Sequence, residues 1–279
     1  MEIGVITDEV SRDLRVALEQ AEAWGVRRFE LRMGMKGRFP FFTPDEERRV
    51  EGAMTRGALV TAVSPGILKG AVEDEARLRK ELEDVLPRSI EGALRFQAPL
   101  LIVFGFERYE GEPDDNRVRV LRTFERVAEA AAAAGLTVAV ENEPGYWVDR
   151  PLAARALLEE LGHPALRLNW DPANLHWGGK RPDYEDFLAI QPYLANLHLK
   201  DYTPNDEQVP WRPLGQGATP WDEILAWILA ESPLEHATLE THCEPLIDNT
   251  RRGLAFVRGL LDSLGAGIAK GEGGGEKGE

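Results

Sequence analysis

Cysteine is almost absent from this chain: Cys243 is the one cysteine in 279 residues. No internal disulfide can form, which suits a reducing compartment. No apolar run approaches the ~18 residues that a bilayer span requires. The opening residues, MEIGVITDEVSRDLR, carry acids where an export signal needs basic residues and a long apolar stretch. A cytoplasmic location is therefore expected, with no membrane partner. Basic residues are the minority: 33 Lys and Arg face 48 Asp and Glu, a net charge of −15. Such a surface repels a phosphate backbone, so nucleic acid is not an expected partner. Histidine is scarce, with five in all.

What is present is alternation. Eight short β-rich runs occur at Ile3–Thr7, Arg28–Arg32, Leu59–Val63, Leu100–Phe104, Thr137–Glu141, Leu166–Asp171, Leu194–Leu199 and His236–Glu240. Between them lie segments with helical spacing. Leu14, Ala17, Leu18, Ala21 and Trp24 step by three and four, behind a Ser11 cap and before Gly25. Val118, Leu121, Phe124, Ala128 and Ala131 repeat the pattern, and Leu254, Val257, Leu260, Leu261 and Leu264 close it. Eight β–α alternations imply parallel strands with crossover helices. The expected fold is α/β, a single (β/α)₈ TIM barrel over residues 1–264. The rival, a doubly wound open sheet, usually shows a Gly-rich phosphate turn after an early strand, and none follows Ile3–Thr7. Residues 265–279 hold seven glycines and mostly charged residues besides, and are expected to be a disordered tail. Two long loops after strands, Met33–Thr43 and Lys200–Pro220, are candidate lids.

Four metal-competent side chains end four successive strand runs: Glu141, Asp171, His198 and Glu240. In a barrel these strands are neighbours, so their C-terminal ends share one rim. Three carboxylates and an imidazole meeting there repel one another without a cation. A divalent ion removes that repulsion and supplies a Lewis acid. Hard oxygen ligands with one nitrogen suit Mn²⁺, Mg²⁺, Co²⁺ or Zn²⁺. The bland alternative is that such acids are helix caps or loop residues.

The stretches TDEVSRDL, VENEPG, WDPAN, LHLKDY, PLGQG and TLETH resemble the xylose-isomerase-like family of TIM barrels, the sugar (phosphate) isomerase/epimerase group. The likeness runs to about Leu264. It implies metal ligation by Glu141, Asp171, His198 and Glu240, with Lys200 in the pocket. It also implies an isomerase or epimerase acting on a small sugar or sugar-derived carbonyl compound. In that chemistry Glu141 and Glu240 are the catalytic pair, one removing the proton beside the polarised carbonyl and the other returning it. Two alternatives stay open: an inosose-type dehydratase sharing the first step, and a non-catalytic metal- and sugar-binding sensor. The chain departs from many relatives at Asn174 and Glu143, where they carry histidines. Those losses, the scarcity of histidine and the acidic charge argue against the DNA-repair endonucleases of this superfamily.

Further residues are candidates for substrate contact. Strand periodicity puts Lys200 on the same face as His198, to hold a substrate oxygen or to pair with Asp201. Glu30 and Arg32 share a face in the same way and either pair with each other or bind substrate. Asn174 stands beside this site. His176, with Trp177, is a candidate stacking wall for a sugar, and Trp211 a lid aromatic. Cys243 is expected to be a small buried hydrophobe. A homo-oligomer is compatible with the sequence.

Overall fold

The computed structural model describes residues 1–204 and 211–272. Each expected β-rich run forms a strand within one residue of its expected limits. The first seven are β1 (Glu2–Ile6), β2 (Arg28–Leu31), β3 (Leu59–Val63), β4 (Leu100–Val103), β5 (Thr137–Glu141), β6 (Leu166–Trp170) and β7 (Leu194–Leu199). A short antiparallel pair, β8 (Asp201–Tyr202) and β9 (Trp211–Arg212), follows β7, and β10 (His236–Leu239) ends the series. Eight of these strands close into a parallel barrel in the order β1, β10, β7, β6, β5, β4, β3, β2.

Helices return the chain between strands: α1 (Leu14–Ala23), α2 (Pro44–Thr55), α3 (Glu75–Lys80), α4 (Leu86–Arg95), α5 (Asn116–Ala133), α6 (Pro151–Leu161), α7 (Pro172–Trp177), α8 (Tyr184–Ile190), α9 (Trp221–Glu231) and α10 (Leu246–Glu272). Their starts follow ordinary capping chemistry. Asp13, not Ser11, caps α1, its carboxylate accepting from the Arg15 N–H at 2.9 Å. Ser11 instead accepts from the Asp13 N–H. Thr43 and Glu46 form a reciprocal capping box on α2. On α5 the buried stripe holds Val120, Phe124, Val127, Ala128 and Ala131, whereas Val118 is exposed. The last helix is continuous through Glu272, although disorder was expected from Gly265. A helix already nucleated over Leu246–Leu264 extends at one hydrogen bond per residue fixed. Residues 273–279 lie outside the described residues. Among the described residues no helix is long and apolar enough to cross a membrane.

The main apolar core lies between strands and helices, and a small second cluster of Ala62, Leu100, Ile102 and Ala139 lies within the barrel. Period-2 alternation then decides what tops that inner cluster. Ala139 is followed on its face by Glu141, Asn196 by His198 and Lys200, and Thr238 by Glu240. The barrel interior is thus apolar on the β3–β5 side, polar at Asn196 and Thr238, and ionisable at its C-terminal mouth. The loop Met33–Thr43 is pinned rather than free: Phe39 is buried and meets Phe42 edge-on at 5.5 Å. Of the other candidate lid, residues 205–210 lie outside the described residues.

Candidate active site and metal centre

Glu141 is the last residue of β5, His198 the fifth of β7, and Asp171 and Glu240 follow β6 and β10 directly. All four are buried, and one ligand atom from each lies within 4.8 Å of the others. Local chemistry aims them. Asp171 is both helix cap and site residue: its Oδ1 accepts from the Asn174 N–H of α7 at 2.9 Å, which leaves Oδ2 for the site. Asn142, after β5, clamps the Asp171 backbone from both sides, accepting from its N–H at 2.7 Å and donating to its carbonyl at 2.8 Å. The Gly-rich PLGQG turn wraps the Asp201 carboxylate, which accepts from the N–H groups of Gly215, Gly217 and Thr219 at 2.9, 3.0 and 3.1 Å. A Cβ at Gly217 would lie 2.1 Å from Asp201 Oδ1, so only glycine fits that approach.

His198 is held from two sides. Its Nδ1 faces the cluster, 3.4 Å from both Glu141 Oε1 and Glu240 Oε2. Its Nε2 lies 2.9 Å from Glu30 Oε2, and Asn169 Nδ2 lies 3.2 and 3.3 Å from the two ring nitrogens. Lys200 Nζ stands 2.7 Å from Asp171 Oδ2 and 3.2 Å from Glu240 Oε2. Arg32 binds Asp8 through Nε and Nη2, contacts Glu9, and reaches Glu240 Oε1 through Nη1 at 2.6 Å. His242 Nδ1 lies 2.9 Å from Glu9 Oε1 and 3.3 Å from Glu240 Oε1. Six buried carboxylates (Asp8, Glu9, Glu30, Glu141, Asp171, Glu240) thus meet two permanent cations, Arg32 and Lys200.

The proton affinities diverge accordingly. Burial raises the Glu30 and Asp171 carboxyls above the usual range, against the opposing charges of His198 and Lys200 respectively. Burial is the largest influence on Glu141 and Glu240 and pushes both upward, but His198 with Lys200 at Glu141, and Lys200, His242 and His198 at Glu240, together leave both lowered. Glu9, buried yet facing Arg32, falls to about 2.

The donor set fits one divalent cation: three carboxylates and one imidazole converge from four strands, and the helix cap on Oδ1 leaves Asp171 Oδ2 turned into the cluster beside the Lys200 ammonium. Glu30 fits the outer position of such a centre, since an acceptor on one ring nitrogen leaves the other free to ligate. Glu9, Glu240 and His242 form a second group of suitable spacing, but Arg32 already engages Glu9 and Glu240 there.

The cluster opens into a cavity of about 700 Å³. Lys200, Asn174, Arg32 and Glu30, the candidates for substrate contact, line it, and the partners of three of them differ from expectation. Lys200 pairs with Asp171 and Glu240 rather than with Asp201, whose carboxylate is spent on the glycine turn. Glu30 and Arg32 do not pair with each other. Glu30 is fully buried behind His198, so its expected substrate contact gives way to a contact with the imidazole. Asn174 donates its amide to the Asn142 carbonyl at 2.9 Å. His176 is not in the cavity wall: it packs edge-on against Tyr202 at 5.3 Å, and its neighbour Trp177 lines the cavity, meeting Trp211 at 5.3 Å. Trp211 also covers Lys200, with Nζ 4.5 Å from its ring centre. Cys243 is buried, as expected, at the cavity edge. Sequence reasoning missed Asp8, Glu9, Asn142, Asn169 and Arg38, and His242, just beyond Glu240, was not among the expected site residues. Asp8 and Glu9 follow β1 on the same rim, so the strand-end rule that found the other acids was the available signal.

The protein is similar in part to curated enzymes. It is 34% identical over 139 residues to a 2-epi-5-epi-valiolone 7-phosphate 2-epimerase of Actinoplanes sp., covering 49% of this chain and 48% of that one. It is 24% identical over 135 residues to a 3-dehydroshikimate dehydratase of Bacillus anthracis, covering 43% and 46%. The chain spans about half the length of these curated relatives. In fold it resembles the structure of an L-ribulose 3-epimerase, with a TM-score of 0.79 over 100% of both chains at 16% identity. Residues 18–260 match the family described as xylose isomerase-like TIM barrel. With the closed eight-stranded barrel and the ionisable cluster at its mouth, the chain belongs to that family.

Proposed function

We propose that the chain is a divalent-metal-dependent isomerase or epimerase acting on a small sugar or sugar-derived carbonyl compound. The observation that carries this reading is the convergence of Glu141, Asp171, His198 and Glu240 in one buried cluster, of which Glu141, His198 and Glu240 line the cavity. A divalent ion bound there supplies Lewis-acid polarisation of a carbonyl group. The chain's own residues do the rest. Glu141 and Glu240 stand at the ends of β5 and β10, which β6 and β7 separate in the ring, so their carboxylates approach a ligand from different sides. One removes the proton beside the carbonyl and the other returns it. Asp171 and His198 complete the ligand set, Glu30 orients His198, and Trp177 and Trp211 form an aromatic wall. A second reading, dehydration, is favoured by the similarity to the 3-dehydroshikimate dehydratase and shares the first proton removal.

The test is proton exchange. The Mn²⁺-loaded protein is incubated in D₂O with a panel of ketoses and cyclic ketones. Deuterium at the carbon beside the carbonyl marks the enzyme, and the product then separates epimer from dehydrated ketone. Saturable binding without exchange on any compound overturns the catalytic reading and leaves a sensor.

A further inference from the structure

Arg38, on the loop after β2, lines the same cavity, yet among the described residues it forms no ion pair with an acid. Its Nε donates to the Ser64 carbonyl at 2.9 Å and its Nη2 to Ser64 Oγ at 3.1 Å, contacts that hold the group without neutralising it. Nη1 makes no hydrogen bond among the described residues. Arg32, six residues earlier, shows the contrast: its guanidinium is matched by Asp8, Glu9 and Glu240. Asp8, Glu141 and Glu30 act on this partly buried guanidinium only from beyond ion-pair distance and Arg32 opposes them, so an occupant of opposite sign in direct contact is the natural complement.

The chain is shaped to keep Arg38 there. Gly66 has φ +76°, and a Cβ on it would lie 2.5 Å from Arg38 Nε. Arg38 also faces the Phe104 ring at 5.8 Å, and Lys69 Nζ stands 4.3 Å from the same ring centre. Lys69 is only loosely balanced, with Glu143 at 3.5 Å. Arg38, Ser64, Lys69 and Phe104 follow β2, β3 and β4, whereas the four-ligand cluster follows β5, β6, β7 and β10. The cavity therefore has a basic wall on one half of the ring and the proposed reaction centre on the other.

We infer that the substrate carries an anionic group, a carboxylate or a phosphate, that Arg38 binds with support from Lys69. The inference rests on the proposed function for the other end of the molecule, the carbonyl that faces Glu141 and Glu240. A guanidinium fork matches either anion. On a chain of net charge −15, an anionic ligand also needs a dedicated cation of this kind.

Two matched pairs test it by calorimetric titration of the Mn²⁺-loaded full-length chain: D-fructose 6-phosphate against D-fructose, and 3-dehydroshikimate against its methyl ester. The anionic member of one pair should bind roughly tenfold to a hundredfold more tightly than its neutral partner. The pair that responds identifies phosphate or carboxylate. Arg38→Gln should bring that ratio close to one, and Arg38→Lys should retain part of it, with melting curves confirming that both variants fold. Equal affinities within both pairs, or a preference that survives Arg38→Gln, overturns the inference. Deuterium exchange read in parallel separates the two claims. Exchange without anion preference removes only this inference, and anion preference without exchange removes only the catalytic reading.

Discussion

Replacing Glu30 by glutamine separates a residue that orients a ligand from one that touches substrate. Glu30 Oε2 lies 2.9 Å from His198 Nε2, and its Oε1 is buried with no hydrogen-bond partner. In Glu30→Gln the new amide has two orientations. With its oxygen on Nε2–H, the NH₂ group falls where Oε1 now lies, buried and unpaired, at a cost of about 1–3 kcal/mol. With its NH₂ on Nε2, the ring must carry its proton on Nδ1, the nitrogen that faces Glu141 and Glu240, and that nitrogen can no longer ligate. Either way a negative charge behind the imidazole is lost. The expected result is metal affinity lowered roughly 10–100-fold, the range for partners of ligating histidines, or about 1.4–2.7 kcal/mol. Competition of the protein with a chelator for Mn²⁺ measures it, with thermal melts as the control for folding. Unchanged metal affinity accompanied by a raised KM would refute the argument and return Glu30 to a direct contact with substrate.

Chelation should lower the melting temperature near neutral pH, because the clustered carboxylates lose their shared cation. At a thousandfold excess of metal over Kd the linkage is about 4 kcal/mol, or on the order of 10 °C for a chain of this size; superimposed melts, with metal shown present beforehand, would refute it. Gly66→Ala should melt lower than Gly111→Ala: both sites have positive φ, which costs about 1–2 kcal/mol for a side chain, but the alanine at 66 also meets Arg38 while that at 111 meets open space. Burial raises the Cys243 thiol from 9.0 to about 11, so at pH 8 alkylation should run ~100-fold slower than for an exposed thiol and quicken as pH rises toward that value. Alkylation of the folded protein at the rate of a free thiol would contradict that burial.

The strands and the four-residue cluster were legible because both depend on short-range regularity. Alternation fixes which face of a strand each side chain takes, and β–α repetition puts all strand ends on one rim. What the sequence did not disclose is which neighbour each rim residue finds across the ring. Period 2 places Glu30 and Arg32 on one face but is silent on closure, which brings Glu30 to His198, 168 residues away. Arg32 turns instead to Asp8 and Glu9, in the turn after β1, and to Glu240. That Trp177 lines the cavity while His176, expected beside it, does not has another source. On a six-residue helix one step rotates a side chain by about 100°, and spacing alone does not set the phase of α7.

The two proposed proton carriers are not equivalent in their surroundings, and that difference yields a last prediction. Glu240 is gripped on both oxygens: Arg32 and His242 reach Oε1 at 2.6 and 3.3 Å, and Lys200 and His198 reach Oε2 at 3.2 and 3.4 Å. Among the described residues Glu141 has His198 alone within such reach, at 3.4 Å. Neutralising Glu240 removes one partner from each of two buried cations, leaving Arg32 to Asp8 and Glu9 and Lys200 to Asp171, so the cost falls below the ~3–5 kcal/mol of a buried charge left with no partner. Neutralising Glu141 takes a partner from neither. Glu240→Gln should therefore melt roughly 2–8 °C below the parent protein, as a loss of about 1–2 kcal/mol implies, with its activity loss mixed with structural damage. Glu141→Gln, compared with the parent in the presence of chelator, should melt close to it. Its turnover should nevertheless fall by roughly 10²–10⁴, as loss of a general acid or base does. With metal content checked in parallel, Glu141→Gln thus tests proton transfer with less structural damage than Glu240→Gln. Equal melts for the two variants would mean that the Arg32–Glu240–Lys200 bridge does not support the fold. Full turnover in Glu141→Gln would remove Glu141 from the chemistry and leave it a ligand at most.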